Sequence, residues 1–280
     1  TATGVIFPKL GEIRAVLHRP LAGTPKRCTL VREVDQWFVS IACEQDVPEP
    51  LPRHEPMVAI DRGVTNLLAD SDGNLVCNPK HLDHSLRRLA RAQRVVARRQ
   101  KGSRRREGAV QRVAKLHRKI RRQRAHMLHG LSARYAKSHG VVVVERLNVA
   151  GMVRGNLARQ ILDAGWSTFC AMLRYKLEAT GGTLIEVPAH YSSQTCTACG
   201  VVDAASRSGE QFRCVACGHE AHADVNAAHV LLSRGNRGGA GRGGSADVRR
   251  PVKRQLRVVR RGHSILQGLG LLQSPGLQAG

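Results

Sequence analysis

The chain has 280 residues, enough for one large domain or two small ones, and carries a formal net charge of +24 with a pI near 11.1. This excess of positive charge favours a polyanionic partner, and the absence of any apolar run near the ~20 residues of a membrane span argues against an integral membrane protein. Nothing in the sequence resembles a signal peptide, so we expect a cytoplasmic, nucleoid-associated protein.

The positive charge is concentrated in two segments. Residues 87–124 contain seventeen Lys or Arg and one acid, and residues 234–261 contain ten and one acid, whereas residues 1–86 are nearly neutral. A helix face on which positive and negative side chains alternate is usually just a solvated surface. On a face with so few acids the positive side chains repel one another, and binding a polyphosphate relieves that repulsion. We therefore expect the first segment to bind nucleic acid. The Gly- and Arg-rich residues 234–280 predict a disordered basic tail.

The N-terminal residues 1–46 predict two β-hairpins, with turns at Leu10-Gly11 and at Val34-Asp35-Gln36. Several short antiparallel strands in succession are typical of a small barrel, so we expect a partial, wedge-like β-barrel here. The Pro-rich residues 47–56 predict a linker to the next domain.

A short apolar run at residues 57–60 ends in a carboxylate, Asp61, and a hairpin follows around Ser71-Asp72-Gly73. RNase H-like folds carry their first metal-binding carboxylate at the end of such a strand. Aspartates that end strands are also common turn formers, so this motif alone leaves both interpretations open.

Residues 82–138 predict a helical hairpin, because apolar residues recur at spacings of three and four and are interrupted at Gly102-Ser103 and Gly108. Its exposed faces are dense in basic side chains. Those expected to contact nucleic acid are Arg87, Arg91, Arg94, Arg98, Arg105, Arg112, Lys115, Lys119 and Arg122.

Four valines, Val141–Val144, predict a strand buried on both faces, as inside an α/β sheet, and the strand ends in a second carboxylate, Glu145. Glu145 could instead pair with Arg146. Residues 159–179 predict one amphipathic helix, and residues 183–188 predict a further strand. The inward side of the helix is expected to carry Ile161, Leu162, Trp166, Phe169 and Leu173.

Two Cys-x-x-Cys pairs, Cys196/Cys199 and Cys214/Cys217, lie fourteen residues apart in residues 191–220. This spacing is typical of a structural zinc ribbon, and each pair is followed by a glycine that suits the tight turn. Two disulfides or four free thiols are the alternatives, and the expected reducing compartment disfavours the disulfides. The remaining cysteines are expected in the core: Cys28, Cys43, Cys77 and Cys170.

The ribbon runs into residues 221–233, where a third carboxylate, Asp224, opens a short helix. In-line hydrolysis of a phosphodiester uses two Mg²⁺ ions about 3.5–4 Å apart, and carboxylates are the ligands that Mg²⁺ prefers. Asp61, Glu145 and Asp224 therefore predict a catalytic magnesium site, provided that the fold brings them together.

Three segments of the chain resemble, in order, the RuvC-like motifs and inserted zinc ribbon of the TnpB family of insertion-sequence proteins. They are VAIDRGVTNLLADSDGNL, VVVVERLNVAGM and the cysteine block ending in HADVNAA. The resemblance covers about residues 5–232. It implies an α/β, RNase H-like (RuvC) mixed sheet over residues 57–190 and an RNA-guided DNA endonuclease that uses an element-derived guide RNA. It also implies magnesium binding by the three acids and zinc binding by the four ribbon cysteines.

The chain departs from the family pattern at its N-terminal side, where family members usually have a longer region with a helical recognition domain. The sequence is then that of a fragment, or of a decayed or minimal copy. An intact set of three acids favours a nuclease; the alternative is a nucleic-acid-binding protein of the element that does not cleave. A strand-joining transposase with the same fold is a third interpretation, disfavoured by the zinc ribbon just before the last acid.

Overall fold

The computed structural model describes residues 4–7, 10–17, 20–239 and 254–259. The chain divides into two compact units: residues 1–48, 86–125 and 249–280 form the first, and residues 49–85 and 126–248 form the second. In the part of the chain that is described, no helix has both the length and the hydrophobicity to cross a membrane.

Among the described residues, seven strands precede the first α-helix, and helices and strands are interspersed after it. The strands are β1 (Gly4–Phe7), β2 (Gly11–Arg14), β3 (Thr24–Glu33), β4 (Gln36–Gln45), β5 (Met57–Asp61), β6 (Asn66–Asp70), β7 (Leu75–Cys77), β8 (Val141–Arg146), β9 (Thr183–Pro188), β10 (Arg207–Ser208), β11 (Gln211–Arg213), β12 (Glu220–His222) and β13 (Arg254–Val259). The helices are α1 (Leu86–Ala97), α2 (Arg104–Ser138), α3 (Val149–Met152), α4 (Ala158–Ala164), α5 (Trp166–Ala179) and α6 (Ala223–Gly239).

The first unit contains both predicted hairpins, since β1 pairs with β2 and β3 pairs with β4, each antiparallel. β13 adds to the free edge of β4, so the sheet order is β13-β4-β3. The structure therefore differs from the predicted disordered tail at residues 254–259, and the rest of residues 240–280 lies outside the described residues. The two hairpins belong to separate sheets, and the partial barrel stays a prediction.

The second unit is built on a five-stranded mixed sheet in the order β7-β6-β5-β8-β9, which confirms the predicted mixed α/β class. β5, β8 and β9 run parallel, and β6 and β7 form the antiparallel edge. The valines of β8 are buried on both faces, as their unbroken apolar run predicts. α6 packs on one face, where Leu231 joins a cluster with Ala59 and Val143.

Helix α6 extends beyond residues 221–233, the segment in which the sequence predicts a short helix, because its continuation also packs on the sheet. A Cβ atom on Gly235 would lie 2.5 Å from the Val143 side chain, so a glycine is needed for this close approach. Leu231 and Gly235 are one helical turn apart and face β8 together. Residues 234–239, which the sequence assigns to the disordered tail, therefore belong to α6.

Two helix predictions need correction. Residues 159–179 do not form one helix: Gly165, with φ of 69°, ends α4 and starts α5, and this break leaves Leu162 60% exposed. α2 runs through Gly108 without interruption, so that predicted break is wrong, whereas the predicted break at Gly102-Ser103 is confirmed, with a φ of 79° at Gly102. Ser103 accepts the backbone N–H of Arg106 at 3.3 Å and so caps α2.

Candidate nuclease and metal sites

Two of the predicted acids lie at neighbouring strand ends. β5 and β8 are parallel, with Ile60 opposite Val144, so Asp61 and Glu145 follow at the same carboxyl-terminal edge of the sheet. Parallel strands in an α/β sheet commonly place ligand-binding side chains at this edge. Glu145 is 7% exposed, and Asp61 is partly buried.

The third acid, Asp224, reaches the same region from the first turn of α6. One of its carboxylate oxygens accepts a hydrogen bond from Asn66 of β6 at 3.2 Å, and the other accepts one from Arg207 of β10 at 2.8 Å. Because β6 pairs with β5, the contact with Asn66 fixes Asp224 to the strand next to Asp61. The structure therefore brings together all three acids that the sequence singles out.

The electrostatics of Asp61 reflect this clustering. Burial and, after it, the negative charges of Glu145 and Asp224 together raise the pKa of Asp61 to about 7, although Arg207 and Arg62 oppose the shift. Burial also raises the pKa of Glu145. Enclosed carboxylates that repel one another are stabilised by a cation, and hard oxygen donors suit Mg²⁺. The residues present thus fit a divalent cation of this type.

The three carboxylates are less tightly grouped than the ribbon cysteines. Among the described residues, only the four cysteines bring one ligand atom each within 4.8 Å of all the others. Both oxygens of Asp224 are engaged, by Arg207 and by Asn66. A metal ion at Asp224 would therefore replace or rearrange the contact with Arg207.

Sequence reasoning missed Arg62, which is 8% exposed and directly follows Asp61. Its guanidinium donates to the backbone carbonyl of Glu145 and, at 3.0 Å, to the sulfur of Cys170. It therefore links the ends of β5 and β8, next to both acids. Arg207 and Asn66 were also missed: both lie within the three segments that resemble the family motifs, but only the folded chain places them beside Asp224.

The four ribbon cysteines form a cluster that fits a tetrahedral metal ion. The sulfurs of Cys196 and Cys217 lie 3.7 Å apart, and those of Cys199 and Cys214 lie 3.6 Å apart. Zn–S bonds of about 2.3 Å in a tetrahedron place sulfurs about 3.8 Å apart, whereas a disulfide would need about 2 Å. The disulfide alternative is thereby excluded for these pairs, and all four cysteines are free.

The backbone prepares one of these cysteines for metal binding. The amides of Cys217 and Ala216 point to the sulfur of Cys214 and lower its pKa to about 6. A thiolate is the form that binds a metal, so the knuckle geometry favours the ligand state at neutral pH.

The four cysteines outside the ribbon were predicted to lie in the core. Cys43 and Cys170 are buried, as predicted, but Cys28 and Cys77 are exposed.

The ribbon is fixed to α6 by a buried amide. Asn226 donates to the carbonyl of Thr195 at 2.8 Å and accepts from the N–H of Thr197 at 3.1 Å, so it holds both neighbours of Cys196. Phe212 packs with Cys196 and Cys214 beneath the two Cys-x-x-Cys turns. The ribbon strand β10 carries Arg207, so this attachment also positions the guanidinium that meets Asp224.

The nine basic residues predicted to contact nucleic acid have different environments. Seven are exposed and have no ion pair among residues 20–239: Arg87, Arg91, Arg94, Arg98, Arg105, Arg112 and Lys119. The other two are bound to acids at the end of β3 and in the turn that follows it. Lys115 pairs with Asp35 at 2.8 Å and Arg122 pairs with Glu33 at 2.5 Å.

Two family models match this chain. The family described as "OrfB_IS605: Probable transposase" matches residues 40–156, and "Cas12f1-like, TNB domain" matches residues 166–231. The first match includes Asp61 and Glu145, and the second includes the cysteine cluster and Asp224.

Curated relatives extend the similarity over most of the chain. It is 37% identical to a "Putative RNA-guided DNA endonuclease" of Streptomyces pristinaespiralis over 80% of this chain and 56% of the relative. It is 32% identical to "Putative RNA-guided DNA endonuclease InsQ" of Escherichia coli (strain K12) over 83% of this chain and 62% of the relative. The chain thus spans about three fifths of the length of these relatives.

Among solved structures, "Cryo-EM structure of CRISPR-Cas12f Ternary Complex" aligns with a TM-score of 0.48 at 19% identity, over 69% of this chain and 44% of that chain. "Cryo-EM structure of the Cas12f1-sgRNA-target DNA complex" aligns with a TM-score of 0.46 at 17% identity, over 74% and 65%.

Proposed function

We propose that this chain, which belongs to the TnpB family, is an RNA-guided, magnesium-dependent DNA endonuclease with a RuvC-like core, or the catalytic part of one. The observation that carries the proposal is the clustering of Asp61, Glu145 and Asp224, which come from three separate elements. A protein that only binds nucleic acid gains nothing from enclosing three carboxylates near a polyphosphate.

Asp61, Glu145 and Asp224 would hold the metal. When bound, a pair of Mg²⁺ ions supplies an activated water molecule and stabilises the leaving 3′-oxygen of the phosphodiester. Arg62 keeps the backbone of Glu145 next to Asp61, so two of the ligands are presented from a rigid sheet edge. Arg207 adds a guanidinium at the same place, which suits the charge of a phosphate substrate.

Zn²⁺ would be held by Cys196, Cys199, Cys214 and Cys217 as a structural ion. Four protein sulfurs complete a tetrahedron and leave no open position for substrate, so this ion has no direct part in cleavage. Its contribution is to fix the ribbon, and through β10 the guanidinium of Arg207, against the start of α6.

The partners in this proposal are a guide RNA derived from the insertion sequence and a DNA target. RNA-guided effectors delegate sequence reading to base pairing and bind the heteroduplex by its backbone, which requires a basic surface. The exposed arginines of residues 87–112 supply such a surface.

The test is cleavage of target DNA by the protein purified with its bound RNA, in the presence of Mg²⁺. Sequencing that RNA identifies the guide and hence the target. Asp61→Ala, Glu145→Ala and Asp224→Ala should each lower the cleavage rate by at least ~100-fold. Asp72→Ala is the matched control, because Asp72 is a half-exposed acid in the β6–β7 turn. Equal activity in all variants would refute the assignment of the three acids.

A second candidate function is RNA-dependent binding without cleavage. The engagement of both Asp224 oxygens by Arg207 and Asn66 favours it, since a protein that never binds a metal here would keep this arrangement. Tight RNA-dependent binding of target DNA with no product under any divalent ion would support this candidate and contradict the nuclease.

A further inference from the structure

Four arginines form one line along α1 and its first following turn. They are spaced by four, three and four residues, so at 100° per residue they lie within a narrow strip of the helix surface. The backbone N–H of the last arginine bonds to the carbonyl of Arg94 at 3.2 Å, which continues the helical turn past Ala97. We call this strip the α1 arginine stripe, and it consists of Arg87, Arg91, Arg94 and Arg98.

The orientation of the α1 arginine stripe is fixed by the opposite face of the helix. Leu89 is 4% exposed and Ala92 is 7% exposed, so this side is held in the interior. Every arginine of the stripe is exposed, and within residues 20–239 none of them forms an ion pair. No acid occurs in the sequence between Asp83 and Glu107. The stripe is thus an uncompensated line of positive charge.

The basic residues in the middle of α2 are in the opposite state. Glu33 ends β3 and Asp35 lies in the turn after it, and these two acids bind a set of four cations. We call this set the α2 cation cluster, and it consists of Lys115, Arg118, Arg121 and Arg122.

Arg118 shows how closely the turn is bound. Its guanidinium donates to the Asp35 carboxylate at 2.7 Å and to the backbone carbonyl of Glu33 at 2.9 Å, and only 12% of its side chain is exposed. Arg122 also lies over the ring of Phe38 at 5.4 Å. The α2 cation cluster therefore attaches the hairpin to the helix, and the two acids balance half of its positive charge.

The length of the α1 arginine stripe suits a nucleic-acid backbone. At 1.5 Å of rise per residue, the eleven steps from Arg87 to Arg98 cover about 16.5 Å. One strand of a duplex carries a phosphate every 3.4 Å or so along the axis, so about five phosphates lie along the stripe. Guanidinium groups bind phosphate oxygens in a bidentate manner, which favours arginine for this contact.

We propose that the α1 arginine stripe is the surface that binds the phosphate backbone of one nucleic-acid strand, and that Lys115 and Arg122 hold the β3–β4 turn instead. The proposal rests on the proposed function only in taking nucleic acid as the partner. It divides the basic residues that the sequence groups together into a binding set and a structural set.

The experiment measures binding of a short labelled RNA and of a DNA of the same sequence to the zinc-loaded full chain, without Mg²⁺, over a range of salt concentrations. The stripe variant is Arg87→Gln, Arg91→Gln, Arg94→Gln and Arg98→Gln combined. The matched control removes the same charge from four cations that are exposed and already paired with acids: Lys26→Gln, Arg159→Gln, Arg174→Gln and Arg213→Gln. Circular dichroism checks that both variants keep their helices.

For single strands, the stripe variant should lose about 3 from the slope of log affinity against log salt, and on the order of 100-fold in affinity at physiological salt. The control should lose less than about 1 from the slope. A loss on RNA, on DNA or on both supports the proposal and identifies the strand. Equal slopes in the stripe variant and the control overturn it.

A third variant, Lys115→Gln combined with Arg122→Gln, tests the structural set. It should keep the wild-type salt slope within about 1 and melt at a lower temperature. A slope loss proportional to that of the stripe variant would overturn the division. Asp61→Ala should bind with the wild-type slope, so a failure of the nuclease proposal leaves this result unchanged. A wild-type chain that binds neither strand would contradict both proposals.

Discussion

Replacing Asn226 with alanine should detach the ribbon from α6. Asn226 is fully buried, and its side-chain amide satisfies the carbonyl of Thr195 and the N–H of Thr197. Each hydrogen bond contributes about 0.5–1.5 kcal/mol net, and each backbone group left unpaired adds a cost of about 1–3 kcal/mol if no water reaches it. Allowing for partial hydration, we expect the free energy of unfolding to fall by about 2–4 kcal/mol.

Urea unfolding of the zinc-loaded protein at neutral pH, followed by circular dichroism, gives this quantity from the shift in midpoint. Ser233→Ala is the control on the same helix, because its exposed hydroxyl donates to the His229 carbonyl at 3.2 Å, and its loss should cost under ~0.5 kcal/mol. The variant should still bind one zinc ion per chain, since all four cysteines remain. A loss of stability no larger than that of Ser233→Ala would refute the reasoning.

Three further predictions concern charge and metal. The raised pKa of Asp61 means that the stability of the wild-type protein falls as pH rises from about 4 to about 7. Asp61→Asn removes this charge and should therefore stabilise the magnesium-free protein by on the order of 2 kcal/mol above pH 7. Thermal melting measured against pH checks this, and identical profiles for the variant and the wild type would contradict it. Burial lowers the pKa of Lys176 from 10.5 to about 8. The stability of the wild-type protein should therefore rise by roughly 1 kcal/mol between pH 8 and pH 10.5, after allowance for solvent screening. Lys176→Met should lack this rise. Cys214→Ser should lower both the zinc content, measured by elemental analysis, and the rate of DNA cleavage. Full cleavage by a zinc-free variant would show that the nuclease site does not depend on the ribbon.

The parts of the site that depend on local sequence could be predicted. The spacing of Cys196 and Cys199 places two sulfurs in one turn, whatever the rest of the chain does. An apolar run that ends in Asp61, and another that ends in Glu145, predict two strand-terminal acids by the same local logic. The order of the three motifs along the chain is what predicted that these acids belong to one metal site.

The residues that support the site could not be predicted in this way. Arg207 contacts an acid seventeen positions away, and Asn66 contacts Asp224 across 158 positions, so neither pairing leaves a local pattern. Arg62 follows a predicted acid directly, but the direction of its side chain, toward Cys170 and the Glu145 carbonyl, depends on how β5 and β8 pair.

The sequence also misplaced the basic helices relative to the domains. Residues 82–138 were expected within the 57–190 core, yet residues 86–125 group with the N-terminal hairpins. Glu33 at the end of β3 and Asp35 in the turn after it bind the middle of α2, and only the fold shows these ion pairs. A charge count along the chain cannot show which cations are already paired.

The most direct test of the central claim is the anomalous scattering of Mn²⁺ in crystals of the zinc-loaded protein. The account predicts a manganese peak bonded at about 2–2.2 Å to carboxylate oxygens of Asp61, Glu145 and Asp224, with Arg207 displaced from Asp224. A manganese-saturated crystal in which Arg207 still pairs with Asp224 and no peak lies beside Asp61 or Glu145 would contradict it.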